Sequence, residues 1–262
     1  MNKTHIAGET YLSNNSAGTY RQCPYKFHLR YKKNVVPIGT KISLYLGQKI
    51  HSALDFYYSQ GGDPIDYFVA SYDGGLAEEP IVFNTQKGIL TPEDGRDQGI
   101  KLLEMYLYES QGDNWEVVAT EQEFFYKLES GVELSGIIDL IVKDNEGYLV
   151  VDHKTLSQRM DGGYAQVDNQ LTGYIVGANS LGFKTDRAMF NCLLKHKQPK
   201  LDRIYTMRTD EQIDSFLQDM DDVIQAIRQG HKYRSISRDC VYCEYYDYCL
   251  KGDKSSYFEE AK

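Results

Sequence analysis

The chain of 262 residues lacks any run approaching the ~18 consecutive apolar residues that a membrane-spanning helix needs. Residues 1–10 are polar and carry no apolar core of a secretory signal. The expected location is therefore the cytoplasm, with no membrane partner. There is no internal repeat and no low-complexity tract. No G-x-x-x-x-G-K-[S/T] loop occurs, so the chain carries no evident motor of its own. Positive charge is in deficit, with a formal net charge of −9, which argues against a passive nucleic-acid binder. Cysteine is scarce, at five residues. In a reducing compartment these should not form disulfides, so any cluster of them points to metal.

What is present fits an ordinary globular protein. Apolar residues at 41% and charged residues at 26% favour neither disorder nor a fibrous class, and the length allows one large domain or two small ones. Tyrosine is over-used, at 22 residues. Its ring suits surfaces that are both apolar and hydrogen bonding, base-stacking surfaces included, although many copies will serve packing. Charge is uneven. Residues 21–33 hold Arg21, Lys26, Arg30, Lys32 and Lys33 with no acid, and residues 184–208 hold seven Lys or Arg against Asp186 and Asp202. Either stretch is a solvated face or a track for a phosphate backbone.

A helix is expected over 14–33, broken or bent near Pro24, and periodicity predicts a second over 43–59, where Leu44, Gly47, Ile50, His51, Leu54 and Tyr58 recur at three- and four-residue steps. Gly61-Gly62-Asp63-Pro64 stops it, and Pro64 opens a short helix. A further helix is expected over 93–110, with Thr91 as N-cap ahead of Pro92. Strands follow over 116–126, 132–143 and 148–152, the last two joined by a turn at Asn145-Glu146-Gly147. A helix over 164–181, strands over 187–194 and 203–207, and an amphipathic helix over 210–229 complete the core, and 240–249 reads as a cysteine-rich loop. This order suggests an α/β or α+β domain with a mixed sheet.

The chemistry concentrates in two strands. Gly136-Ile137-Ile138-Asp139-Leu140-Ile141 and Leu149-Val150-Val151-Asp152-His153-Lys154-Thr155 each place an acid in an apolar run. Such an acid is costly to bury unless it is paired or binds a metal. Asp152 and Lys154 are two apart and share a face, and the hairpin can bring Asp139 alongside Asp152. A divalent cation would relieve the repulsion of two carboxylates, and oxygen ligands favour Mg²⁺ or Mn²⁺. Lys154 could orient an attacking water and stabilise charge on a phosphate. An ordinary ion pair between Asp152 and Lys154 is the plainer alternative. His51 lies on the apolar side of its helix and becomes a candidate ligand only if that helix packs over the carboxylates. Gln170 and Tyr174 are four apart on one helical face and could hold a phosphate or a base.

Together these residues resemble the RecB-like nuclease branch of the PD-(D/E)XK superfamily. Its motifs are G-x-x-x-H, G-x-x-D, D-x-K and Q-x-x-x-Y, and they stand here in order as Gly47 to His51, Gly136 to Asp139, Asp152 to Lys154 and Gln170 to Tyr174. The resemblance implies an α/β, restriction-endonuclease-like core, a mixed central sheet flanked by helices, and metal-assisted phosphodiester hydrolysis. It implies that His51, Asp139, Asp152 and the carbonyl of His153 are metal ligands, that Lys154 is the catalytic lysine, and that Gln170 and Tyr174 assist substrate binding. Glu121 would belong to the periphery of the site, with Glu123 an equally placed rival.

Cys240, Cys243 and Cys249 form C-x₂-C-x₅-C, a strong metal signal that needs a fourth ligand, either Cys23 or Cys192. Cys192 lies in an apolar strand, the usual place for an inert thiol. One early and three late cysteines resemble the iron–sulphur members of the branch, such as the AddB nuclease domain and the CRISPR-associated adaptation exonucleases. Tyr20-x-x-Cys23-Pro-x-x-Phe27 also resembles theirs. The resemblance implies a [4Fe-4S] cluster on Cys23, Cys240, Cys243 and Cys249 that joins the N-terminal helix to the C-terminal tail. Four cysteines can equally hold zinc.

The resulting expectation is a single nuclease domain over 1–262, with its core at about 40–230 and cluster-binding elements at about 14–33 and 236–252. It would be a DNA exonuclease acting on single strands or duplex ends, in recombination, repair or replication, in a prokaryotic or phage-infected cell. A separate helicase or recombination partner would supply unwinding. A non-catalytic DNA-end-binding module, a structure-specific endonuclease and a zinc-stabilised binding protein are the competing readings.

Overall fold

The computed structural model describes residues 10–78, 80–82 and 91–259; most of the polar N-terminus, residues 1–9, lies outside them. The chain divides into two compact units. One comprises 1–38, 125–136 and 210–262, and the other comprises 39–124 and 137–209. No helix among the described residues is long and apolar enough to cross a membrane.

The second unit holds a mixed sheet. Gly147–Leu156 pairs antiparallel with the preceding strand, in the register Leu140 with Val151 through Asp144 with Gly147. It pairs in parallel with Arg187–Leu194, which pairs antiparallel with Lys200–Met207. Residues 188–194 are buried throughout, as expected of a strand covered on both faces. Gly147 closes the hairpin at φ +120°, a backbone region that side-chain-bearing residues rarely adopt.

Two helices of this unit form close to their expected bounds, while the one expected to be short at Pro64 runs on to Glu78. Ile42–Gln60 ends at Gly61 in the left-handed conformation. Pro92–Glu109 starts at Thr91, whose hydroxyl accepts from the Asp94 amide while the Asp94 carboxylate accepts from the Thr91 amide. The apolar faces of Ile42–Gln60, Pro64–Glu78 and Pro92–Glu109 meet around Leu46, Ile50, Phe68, Tyr72, Leu102 and Tyr106, all essentially inaccessible to solvent.

One expected helix is two. The segment predicted as 164–181 divides into Gly162–Val167 and Asn169–Ser180. Asp168 breaks it. Its backbone is extended, and its carboxylate caps the second helix at the Leu171 amide, 2.9 Å away. The buried guanidinium of Arg208 donates to the freed carbonyls of Ala165 and Asp168 at 2.8 and 3.1 Å and to the Thr172 hydroxyl at 2.8 Å. The Ala165 and Asp168 carbonyls and the Leu171 amide thus find partners at the break.

Arg187 ties the hairpin end to the neighbouring strand, donating to both Asp144 oxygens at 2.8 Å and pairing with Glu146 at 2.9 Å. Those hydrogen bonds hold the Asp144 carboxyl down at about 2, below its ordinary 3.8. A depressed carboxylate stabilises the fold above its ordinary value and ceases to do so as pH falls through its folded value. Asp144→Asn should therefore melt a few degrees below the wild type at pH 7. The gap should close as pH falls from about 4 toward about 2, which thermal melts across that range will measure.

In the first unit, Tyr11–Ser13 pairs in parallel with 133–135, and Val35–Pro37 pairs antiparallel with Tyr257–Glu259. The predicted 14–33 helix is bent where Cys23 precedes Pro24, because a residue before proline is forced out of the helical region. Asp210–Arg228 buries Phe216, Met220, Val223, Ile224 and Ile227, as its pattern requires. The tail expected as loop carries short helical turns at Arg238–Tyr242 and Asp247–Lys251. Tyr245 and Tyr248 bury their rings there beside Leu29 and Val35.

Candidate active site

The antiparallel register ends at the Leu140–Val151 pair, and Asp139 and Asp152 are the next residues on their two strands. Both acids face the same side of the sheet as Lys154. Ile42–Gln60 packs over them, so His51 Nδ1 lies 3.4 Å from Asp139 Oδ2, and the ring is also within hydrogen-bond reach of the His153 backbone. The His153 amide donates to Asp139 Oδ2 at 2.8 Å. The condition that sequence placed on His51 is met in geometry.

Lys154 Nζ lies 2.7 Å from Asp152 Oδ2 and donates to Gln170 Oε1 at 2.9 Å. Gln170 Nε2 in turn donates to the Tyr174 hydroxyl at 2.9 Å. The ammonium is thus held between strand and helix. Burial would lower its pKa, but the charge and hydrogen bond of Asp152, with Asp139 and Asp168 behind them, raise it, so Lys154 stays protonated.

Both carboxyls are pushed up by burial. Asp139 is raised further by the charge of Asp152, and Asp152 is held back by Lys154. Burial and the nearby Lys154 charge push His51 down to about 4, leaving a neutral imidazole with a lone pair to give. The buried Asp152 and the mostly covered Asp139, beside a neutral imidazole, form a donor set that suits a divalent cation. Among the described residues no three His, Cys, Asp or Glu side chains already converge as a metal-binding group. The acids instead engage His51, the His153 amide and Lys154.

Glu121 sits in a strand at φ +42°, unusual for a side-chain-bearing residue. Its charge bears on Asp139 and Tyr174. Burial and Asp55 raise its own pKa.

Several residues near the site were not read from sequence. Asp168 adds negative charge near Lys154 and Asp152. Beneath the site, Asn191 Nδ2 contacts His153 Nδ1 at 3.3 Å and the Tyr106 hydroxyl at 3.0 Å, and Tyr106 meets the Tyr58 hydroxyl at 2.6 Å. Arg203 donates to Asn191 Oδ1 at 3.3 Å and grips Asp113 at 2.5 and 2.7 Å. The one available signal was Asn191, a lone amide in an otherwise apolar strand.

The helix bearing Gln170 and Tyr174 approaches its neighbour closely at Gly177, where an added Cβ would lie 2.5 Å from the Phe124 ring near its root. Gly177→Ala should gain about 1 kcal/mol of helix propensity but lose about 1–3 kcal/mol to overpacking. A net loss is expected in chemical denaturation.

The four cysteines belong to the first unit, whereas the residues above belong to the second. Cys23, Cys240, Cys243 and Cys249 line one cavity of about 310 Å³. The Ser237 amide points at Cys240 Sγ at 3.4 Å and the Tyr245 amide at Cys243 Sγ at 3.5 Å. Burial raises the Cys249 thiol; Arg234 opposes this, and Cys23, Cys243 and Cys240 add to it. The fifth, Cys192, is buried in its strand, its thiol pushed up to about 12 chiefly by burial.

A family model described as the PD-(D/E)XK nuclease superfamily matches residues 11–250. A crystal structure of a Eubacterium rectale protein described as a candidate exonuclease matches with a TM-score of 0.55 at 15% identity, covering 92% of this chain and 92% of that one; at such identity the likeness concerns the fold alone. The crystal structure of SSO0001 aligns with a TM-score of 0.38 at 14% identity, over 81% of this chain and 86% of that one, too distant to bear weight. No curated protein matches the chain.

Proposed function

We propose that this chain, which belongs to the PD-(D/E)XK nuclease superfamily, is a metal-dependent DNA exonuclease of the RecB-like branch, the whole of 1–262 serving as one nuclease domain. The observation that carries the reading is the placement of Lys154, bracketed by Asp152 and Gln170 beside the Asp139–His51 pair. Asp139, Asp152, His51 and the His153 carbonyl would hold Mg²⁺ or Mn²⁺, which when bound lends Lewis acidity to the scissile phosphate.

The chain's own groups then divide the work. Lys154, kept charged by its acids, places a positive group where negative charge develops on the phosphate and orients the attacking water. Gln170 fixes the ammonium, and Tyr174 fixes Gln170, so the lysine need not reorganise during reaction. Asp139 and the neutral His51 would give their lone pairs to the cation, whose charge favours the carboxylate form that burial opposes. Substrate would be single-stranded DNA or duplex ends, in recombination, repair or replication, with unwinding left to a separate helicase or recombination partner.

The cysteine site is read as a structural [4Fe-4S] cluster, with zinc as the rival metal. Four cysteines lining one cavity, two of whose sulphurs accept from backbone amides, favour this reading; among the described residues no three of them already converge as a metal-binding group.

The test is degradation of end-labelled linear and of circular single-stranded DNA with Mn²⁺. Loss of the linear form alone supports an exonuclease. Loss of both points to an endonuclease, and binding without cleavage points to an end-binding module.

A further inference from the structure

Tyr164 belongs to the short Gly162–Val167 helix that lies in sequence between Lys154 and Gln170. Its ring is half exposed, at 50%, and Val167, one turn on, is exposed at 73%. Beneath it the ring stacks on Phe190, with centroids 6.1 Å apart and planes 24° from parallel. Phe190 is wholly buried, and Lys154 Nζ stands 5.5 Å from the centroid of that same ring. The Tyr164 hydroxyl is within reach of the Asp168 carboxylate, itself fixed as the cap of the next helix.

A tyrosine that served packing alone would bury its ring. This one keeps an aromatic face in solvent, backed by a second ring, tethered at its hydroxyl and only one ring removed from Lys154. Little conformational freedom remains to be lost when a flat ligand settles on it. Nucleobases are such ligands, and stacking on aromatic side chains is the sequence-tolerant way to hold single strands. Within a duplex the face of an interior base is covered by its neighbours, so a platform of this kind favours unpaired DNA.

We propose that Tyr164, with Val167 beside it, is the stacking platform for the nucleobase next to the scissile phosphate. This deepens the nuclease reading above and rests on it.

The experiment uses single-stranded oligonucleotides carrying 2-aminopurine at one of the first several positions from either end, with Ca²⁺ replacing Mn²⁺ to suppress turnover. Stacking quenches the fluorescence of this base. Wild type, Tyr164→Phe and Tyr164→Trp should quench one position strongly. Tyr164→Ala, checked for an unchanged melt, should lose that quench and bind about tenfold more weakly. In Mn²⁺ the same variant should raise KM far more than it lowers kcat. Equal quenching and affinity in Tyr164→Ala, or no quenched position in the wild type, would overturn the platform. Quenching that Tyr164→Ala loses, with no degradation by the wild type in Mn²⁺, would sink the nuclease reading and keep Tyr164 only as a base-stacking residue of a binding module, whereas no binding of any DNA by the wild type would sink both.

Discussion

Lys154→Ala should abolish Mn²⁺-dependent degradation of end-labelled single-stranded DNA, lowering the rate by at least about 10²–10³-fold, the usual loss when a preorganised charge-stabilising group is removed. The ammonium is fixed by Asp152 at 2.7 Å and by Gln170 at 2.9 Å, so nothing need reorganise as charge develops on the phosphate. The substitution also leaves Asp152, which is 1% exposed, without its cation. Burial has already raised that carboxyl, so in the variant it can take up a proton rather than unfold the sheet. The variant should therefore fold, with a circular dichroism spectrum like the wild type's. Degradation by the wild type alone places Lys154 at the centre of the reaction. Equal degradation by both proteins would dismiss Lys154 and with it the active site described above.

The residues that sequence exposed were those whose chemistry conflicts with their surroundings. Asp139 and Asp152 stand out because an acid in an apolar strand demands a partner, and the pleat then fixes Lys154 on the same face. The hairpin was equally legible, since Asn145-Glu146-Gly147 admits little but a turn. His51 was ambiguous until the position of its helix was known, because a histidine on an apolar face fits a core as well as a site. What stayed hidden depends on long-range contact. The helix break at Asp168 is sustained by Arg208, 40 residues onward, a contact that no local pattern announces. The link from Asn191 through Tyr106 to Tyr58 joins three elements by single hydrogen bonds, and no spacing rule predicts it. Tyr164 was one of 22 tyrosines, and only its half-exposed ring beside Lys154 distinguishes it. The short strands Tyr11–Ser13 and Val35–Pro37 were missed for a similar reason: three residues carry too little pattern, and their pairing partners lie over 100 residues away.

The other large effect is expected at the cysteines. On the cluster reading proposed above, the purified protein carries iron or zinc at its cysteines, and Cys249→Ser should strip it and destabilise the unit that holds those residues. Metal bound by a structural site of this kind contributes on the order of 10 kcal/mol, comparable with the whole stability of a typical domain at about 5–15 kcal/mol. Without it, Tyr245 and Tyr248 would have to keep their places beside Leu29 and Val35 through a small apolar cluster alone. Iron with acid-labile sulphide and visible absorption in the wild type, lost in Cys249→Ser, would identify the cluster. Zinc without sulphide would identify the rival. Cys192→Ala is the control, since that thiol is buried in a separate unit and its loss should leave metal content intact. If Cys249→Ser keeps both the metal and the melting temperature of the wild type, the four cysteines are not a staple. The cavity they line would then need a different explanation.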